Sequence, residues 1–290
     1  MIVVKDFSLG LTAMSGQPLN FYADYRIKDG RELLTYSTNK GRVTAMALGS
    51  GERSHLSYSY EGGYTESSIK HEMIRRFGLR DDMEKIYKRI DTDRHMEAAI
   101  DELRGLRITE NDPWETTLCF VISQFNNIKR IRGIIGRLTE RFGDEMEIGD
   151  ETVRSFPRPE TLANAPLAGI RSCGTGFRDK YIRKVAQECT SRMDLDEIGD
   201  LDYDKAKERL TGLYGIGDKV ADCILLFGYK KLDAFPVDVW IKRVVETAYF
   251  KGRKRSVKQI HRFAERQWGG LSGYANQYLF HQGRINKIGK

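Results

Sequence analysis

The sequence predicts an α+β protein with a small N-terminal antiparallel sheet domain ahead of a mainly helical, two-lobed body. Three observations carry this expectation. Apolar residues alternate at the strand period over the first 65 residues, the pattern changes to helical spacing after about Ser67, and from Asp112 onward almost every segment reads as helix.

The strand signal runs through Leu19, Phe21, Ala23, Tyr25 and Ile27, then Val43, Ala45 and Ala47, then Leu56, Tyr58 and Tyr60. Asp29-Gly30, Gly41, Gly49 to Gly51 and Gly62-Gly63 supply turns between these runs. Helical spacing follows in Met83, Ile86, Tyr87 and Ile90, then in Met96, Ile100, Leu103 and Leu106. This assigns residues 1–110 to an N-terminal domain of sheet plus helices and residues 111–290 to a helical domain. The second domain opens at Asp112-Pro113, an N-cap followed by proline at the first helical position. Further helices are expected at 128–142, 159–170, 177–192, 203–211, 218–227, 237–249 and 256–268.

Charge narrows the choice of partner. The 290 residues carry a formal charge of +7. Residues 241–290 contain 12 Lys plus Arg against 2 Asp plus Glu, so the rest of the chain is net negative and the basic surface concentrates near the C-terminus. An anionic partner is the expectation, with the run Lys251, Arg253, Lys254, Arg255 and Lys258 as a candidate backbone contact. Cys119, Cys173, Cys189 and Cys223 lie too far apart for a Cys-x-x-Cys metal or iron-sulfur pattern. No apolar run approaches the roughly 18 residues that cross a bilayer, and no secretory leader is recognisable. The expectation is a cytoplasmic monomer with no metal, no cofactor and no membrane partner.

The segment Leu213-Tyr214-Gly215-Ile216-Gly217-Asp218-Lys219-Val220-Ala221-Asp222-Cys223 carries the chemistry, together with Pro236-Val237-Asp238-Val239. A helix ends near Leu213, Gly215 and Gly217 allow a tight turn, and a second helix begins near Asp218, giving a hairpin over about 205–228. Such a turn exposes backbone N–H groups that suit a phosphate and read no base sequence. Val220, Ile224 and Phe227 form a stripe that anchors the second helix, whereas Lys219 and Cys223, four apart, share another face. The positive potential of a helix start favours a neutral amine, the form that attacks carbon.

The Gly-Ile-Gly-x-Lys turn with Val-Asp-Val about twenty residues on resembles the helix-hairpin-helix, Gly/Pro-rich, Asp-containing DNA glycosylases. Within them, Lys-Val-Ala-Asp-Cys followed by Pro-Val-Asp-Val is similar to the 8-oxoguanine DNA glycosylase branch. The resemblance implies a bifunctional glycosylase and lyase acting on duplex DNA that holds an oxidised purine, with Lys219 as nucleophile and Asp238 stabilising charge at the sugar. Ser15-Gly16-Gln17 is similar to the element that senses the oxidised ring. The stretch from Gly273 to Phe280 resembles the helix lining the base pocket, which implies pocket roles for Gly16, Cys223, Asn276 and Phe280. Asn126-Asn127-Ile128-Lys129-Arg130 resembles the segment facing the orphaned base, and Gly176-Phe177-Arg178 the loop that inserts an aromatic wedge. Asn127, Arg130, Phe177, Arg178, Gly215, Gly217, Val220 and Trp240 are therefore candidate DNA contacts. Three departures mark a prokaryotic-type member: Phe125 replaces the first Asn of a triplet, Trp240 a His, and Asn276 a Gln.

Each residue also has a plainer reading. Lys219 alone would be a solvent-facing lysine, Asp238 a helix cap, Cys223 and Phe280 core residues, and Gly16 a turn. Two alternatives for the whole are a glycosylase of the same superfamily for another lesion and a noncatalytic helix-hairpin-helix DNA-binding protein. The latter leaves Lys219 and Asp238 unexplained.

Overall fold

Five strands of the N-terminal region pair into one antiparallel sheet, ordered β1-β5-β4-β3-β2. They are β1 (Ile2–Val4), β2 (Asp24–Lys28), β3 (Arg31–Thr38), β4 (Gly41–Leu48) and β5 (Ser54–Gly62). The computed structural model describes residues 1–48 and 54–287, and the turn expected at Gly49 to Gly51 lies outside them. Alternation works as anticipated in the central strands: Leu34 and Tyr36 face inward opposite Ala45 and Val43. That face packs on Ile69, Met73 and Phe77 from the region of α3 (Glu66–Arg76), which is held at its start by a Thr65–Ser68 capping box.

One part of the strand reading is corrected. Residues 9–14 and 19–22 form short helices, α1 (Leu9–Met14) and α2 (Leu19–Tyr22), and the strand starts only at Asp24. Pro18 sits in the right-handed helical region, and Leu19, Asn20 and Phe21 are all buried, so burial there is continuous and the alternation was accidental. This matters functionally because the α1–α2 turn presents Gly16 to the helical lobes.

The remaining helices form the larger core. Helices α4 (Met83–Ile90) and α5 (Arg94–Leu103) lead into α6 (Pro113–Ser123), whose start is the expected one: Asp112 accepts the Glu115 N–H at 2.9 Å. Helix α7 (Ile128–Phe142) buries Ile131, Ile134, Ile135 and Leu138 on one stripe. A hairpin of β6 (Glu145–Ile148) and β7 (Glu151–Arg154) follows, in a stretch that reads as helix or loop by sequence. Met146 and Ile148 alternate with Glu145 and Glu147, but each strand has only four residues and Ile148 alone is buried, so the signal is short and weak. The helix expected over 159–170 is split by Pro166 into α8 (Pro159–Asn164) and α9 (Leu167–Ile170). Helices α10 (Arg178–Ser191), α11 (Leu195–Asp200), α12 (Tyr203–Thr211), α13 (Asp218–Gly228), α14 (Val239–Phe250), α15 (Val257–Trp268) and α16 (Ser272–Ile285) complete the chain. The first half of α16 is buried on all sides and packs against α5 and α14. Its side chains bridge the α1–α2 turn and the loop that leads to Asp238: Gln277 donates to the Ser15 carbonyl and Asn276 to the Pro236 carbonyl. No helix among the described residues is long and apolar enough to cross a membrane.

Candidate active site

The α12–α13 hairpin is built by small residues where the backbone turns hardest. Gly215 has φ +85°, and a β-carbon there would lie 2.8 Å from Cγ of Tyr181, so both conformation and space demand glycine. The Gln124 side chain donates to the Gly215 carbonyl at 3.1 Å, tying the turn to the end of α6. Gly217, the cap residue of α13, is exposed with open space around it, which leaves room for a phosphate against the first N–H groups of the helix. Val220 is a core residue, 4% exposed, so any contact it makes with DNA comes from its backbone N–H.

Lys219, one residue into α13, points from the hairpin into a cleft of about 330 Å³ that Asp238 also lines. Its Nζ lies 5.3 Å from the ring centre of Phe120 and is near enough to the Cys223 thiol to act on it. Burial pushes that thiol up to about 12, with Lys219 opposing, so Cys223 is a neutral contact and not a second nucleophile. Asp238 caps α14, where it accepts the Ile241 N–H at 2.7 Å. Burial raises its carboxyl above the ordinary value, against the opposing pull of the Ile241 N–H, the Lys219 charge, the Trp240 N–H and the Arg284 charge. The cap and the charge pair therefore hold one desolvated carboxylate beside one amine. Trp240 and Asn276 complete this wall, and Asn276 spends its amide donor on the Pro236 carbonyl at 3.0 Å. Among the described residues no cluster of His, Cys, Asp and Glu could hold a metal ion.

Gly16 and Phe280 line the same cleft. Gly16 has φ +87°, and a β-carbon on it would come within 3.0 Å of both Phe280 and Arg284. Its turn is pinned from two sides. Gln277 donates to the Ser15 carbonyl at 3.0 Å, while the buried Gln17 side chain joins Thr12, Arg107 and Thr109. Sequence reading passed over Phe120, Gln277 and Arg284. Phe120 sits in a wholly apolar stretch that looks like core, but Arg284 is four residues beyond Phe280 and helical spacing alone puts it on the same face.

The surface residues gather at the mouth. Asn127 lines the cleft while capping α7, accepting the Arg130 N–H at 3.0 Å. Phe177 is 52% exposed and is backed by the Arg178 guanidinium, 4.4 Å from its ring centre, and by the edge of Tyr181. Arg178 itself is buried, with donors on the carbonyls of Gln124, Thr175 and Phe125. In this state it shapes the two aromatic loops, and its guanidinium is not presented at the surface as Arg130 is. Phe125 is 91% exposed at φ +50°, a backbone state uncommon for a bulky side chain and held here by the Arg178 bond to its carbonyl.

Comparison with known proteins follows the same geometry. Residues 118–269 match the model of the HhH-GPD superfamily of base excision DNA repair proteins, and residues 3–117 that of the 8-oxoguanine DNA glycosylase N-terminal domain. The chain is 31% identical to a probable N-glycosylase/DNA lyase of Methanothermobacter thermautotrophicus, over 98% of this chain and 95% of that protein. It is 29% identical to the N-glycosylase/DNA lyase of Saccharomyces cerevisiae over 61% of this chain and 56% of that one. Among solved structures, the Clostridium acetobutylicum 8-oxoguanine glycosylase/lyase, bound to duplex DNA with cytosine opposite 8-oxoguanine, superimposes with a TM-score of 0.85. The identity there is 28%, covering 98% of this chain and 94% of that one.

Proposed function

The chain belongs to the HhH-GPD superfamily of base excision DNA repair proteins, and from that premise we propose that it excises 8-oxoguanine from duplex DNA and then cleaves the strand as a lyase. The observation that carries the reading is the meeting of Lys219 and Asp238 in one cleft that Gly16 and Phe280 also line. An amine and a carboxylate, together with an aromatic face and a backbone turn, suit a sugar and a flat base.

The hairpin N–H groups hold the phosphate backbone while Phe177 fills the gap left as the damaged nucleotide flips out, at an unstacking cost of a few kcal/mol that is lower for a lesion. Lys219 Nζ attacks C1′, the C1′–N9 bond breaks with its electron pair on N9, and Asp238 stabilises the positive charge that develops on the sugar. The amine and sugar then pass to a Schiff base, loss of a C2′ proton expels the 3′ phosphate, and hydrolysis frees Lys219. The hairpin, wedge and cleft all come from one chain, which supports action as a monomer.

Discrimination against guanine rests on Gly16. N7 of guanine is an acceptor, whereas N7 of the lesion bears a proton, so a backbone carbonyl from the Gly16 turn attracts one and repels the other. A buried hydrogen bond contributes about 0.5 to 1.5 kcal/mol, and two opposed acceptors add about 1 to 3 kcal/mol, so roughly tenfold to a thousandfold selectivity follows from this contact. An 8-oxo analogue that cannot donate at N7 should lose most of the advantage over guanine in single-turnover excision. Full-rate processing of that analogue would dismiss Gly16 as the sensor.

Selectivity for the opposite base should be relaxed. Phe125 stands beside the Asn126–Asn127 pair at the mouth and has no polar atom for an orphaned base, and Arg178 is committed to carbonyls. Excision rates opposite C, A, G and T should spread less in the wild-type protein than in Phe125→Asn. Strict dependence on an opposite cytosine would contradict this.

The experiment that tests the function as a whole is borohydride trapping on duplexes carrying a panel of lesions. Linkage greatest at 8-oxoguanine supports the reading, and linkage at another lesion with none there overturns it.

A further inference from the structure

Arg284 is the cation of the cleft that the reaction above leaves unused. It lies one helical turn beyond Phe280 on α16, with its guanidinium carbon 5.4 Å from the Phe280 ring centre. Nη1 is buried and has no hydrogen-bond partner among the described residues, which is costly for a charged donor. The neighbouring His281 adds no positive charge: burial, aided by Arg284 itself, pushes it down to about 4, so that imidazole is neutral near pH 7.

Two contacts place the unused donor. Nη1 would lie 3.0 Å from a β-carbon on Gly16, so the guanidinium packs directly against the turn read as the N7 sensor. It is also close enough to Asp238 for each charge to act on the other. In a purine, C8 lies between N7 and N9, and N9 carries the sugar. A base whose N7 meets Gly16 and whose sugar meets Asp238 therefore projects its C8 substituent into the space between them, where Arg284 stands.

We propose that Arg284 donates a hydrogen bond to the C8 oxygen of 8-oxoguanine and so acts as a second specificity-determining residue, a reading that rests on the proposed function and on the Gly16 contact. Guanine has only C8–H there and would leave the guanidinium unsatisfied in a dry cleft, which penalises the undamaged base independently of N7. The same bond aids the chemistry. As the C1′–N9 bond breaks, the electron pair on N9 is delocalised over the five-membered ring onto the C8 oxygen, and the guanidinium stabilises that charge until a proton from solvent neutralises the base. Phe280 holds the planar cation in place from below.

The test compares Arg284→Met and Arg284→Lys with wild type on two duplexes, one with 8-oxoguanine opposite cytosine and one with a preformed abasic site, under single-turnover conditions. The abasic site has no base to contact, so the loss caused by Arg284→Met at 8-oxoguanine should exceed its loss at the abasic site by about tenfold to a hundredfold, the range for a hydrogen bond to a charged group. Arg284→Lys, which restores charge and one donor, should recover much of that ratio. Equal losses at both substrates, or 8-oxoguanine excision by Arg284→Met at the wild-type rate, would overturn the assignment while leaving the proposed function intact. Absence of 8-oxoguanine excision by the wild-type protein would overturn both. Should Arg284→Met not fold, Arg284→Lys and Arg284→Gln decide by the same ratio.

Discussion

Replacing Lys219 by glutamine should abolish borohydride-trapped covalent product on 8-oxoguanine DNA and leave affinity for that DNA near wild type. The hairpin does two separable jobs. Grip on the strand comes from the turn around Gly215 and Gly217 and from the N–H groups at the start of α13, none of which the substitution touches. Chemistry needs an amine lone pair in the cleft, and Lys219 brings its amine there, against Phe120 and the Cys223 thiol. Glutamine keeps a polar stem of similar reach but has no nucleophilic nitrogen. Removing the nucleophile of an enzyme of this kind commonly costs on the order of ten-thousandfold or more, so strand cleavage should fall to background. The check is a trapping gel beside a binding isotherm. Persistent linkage in Lys219→Gln would mean that another amine forms the intermediate, and loss of binding along with linkage would mean that the substitution damaged the hairpin.

How far sequence carried the reading depended on whether a residue acts locally. The hairpin and the caps at Asp112 and Asp238 were legible because glycine at a forced turn and a carboxylate before a helix are local signals. The first half of the strand read over Leu19 to Ile27 is helix, because short-range alternation cannot distinguish a half-buried strand from a short helix buried all round. The β6–β7 hairpin was missed because two four-residue strands with one buried side chain between them leave too short a pattern. In the cleft, spacing and resemblance named Lys219 and Asp238, but what raises the Asp238 carboxyl is burial among segments far apart in the chain. Gln277 bonds to Ser15 across 262 positions, a relation that no local window contains. Arg178 shows the reverse error. An arginine in a loop reads as a surface donor, yet its neighbours' carbonyls claim it and turn it into a brace for Phe125 and Phe177.

Asp238→Asn should slow base excision by roughly a hundredfold to a thousandfold, the usual cost of losing one preorganised charge at a transition state, without lowering stability. Stability should hold because asparagine is as good a helix cap as aspartate and can accept the Ile241 N–H in the same place. The sign of the pH linkage sharpens the expectation. Burial raises the Asp238 carboxyl above its ordinary 3.8, so between that value and the raised one the folded chain binds the proton more tightly than the unfolded chain. Ionised Asp238 therefore costs stability, a cost absent below the ordinary value and fully developed once pH has risen through the raised one. At pH 7 the asparagine variant escapes that cost, and its Tm should equal or exceed that of the wild type while its rate collapses. The same displacement shapes the activity profile. Wild-type excision should decline, as pH falls, at a higher pH than an unperturbed carboxylate would impose, and Asp238→Asn should lack that acid limb. Single-turnover rates across pH with thermal melts of both proteins make the measurement. An asparagine variant that melts lower yet excises at nearly the wild-type rate would make Asp238 a helix cap with no part in the chemistry.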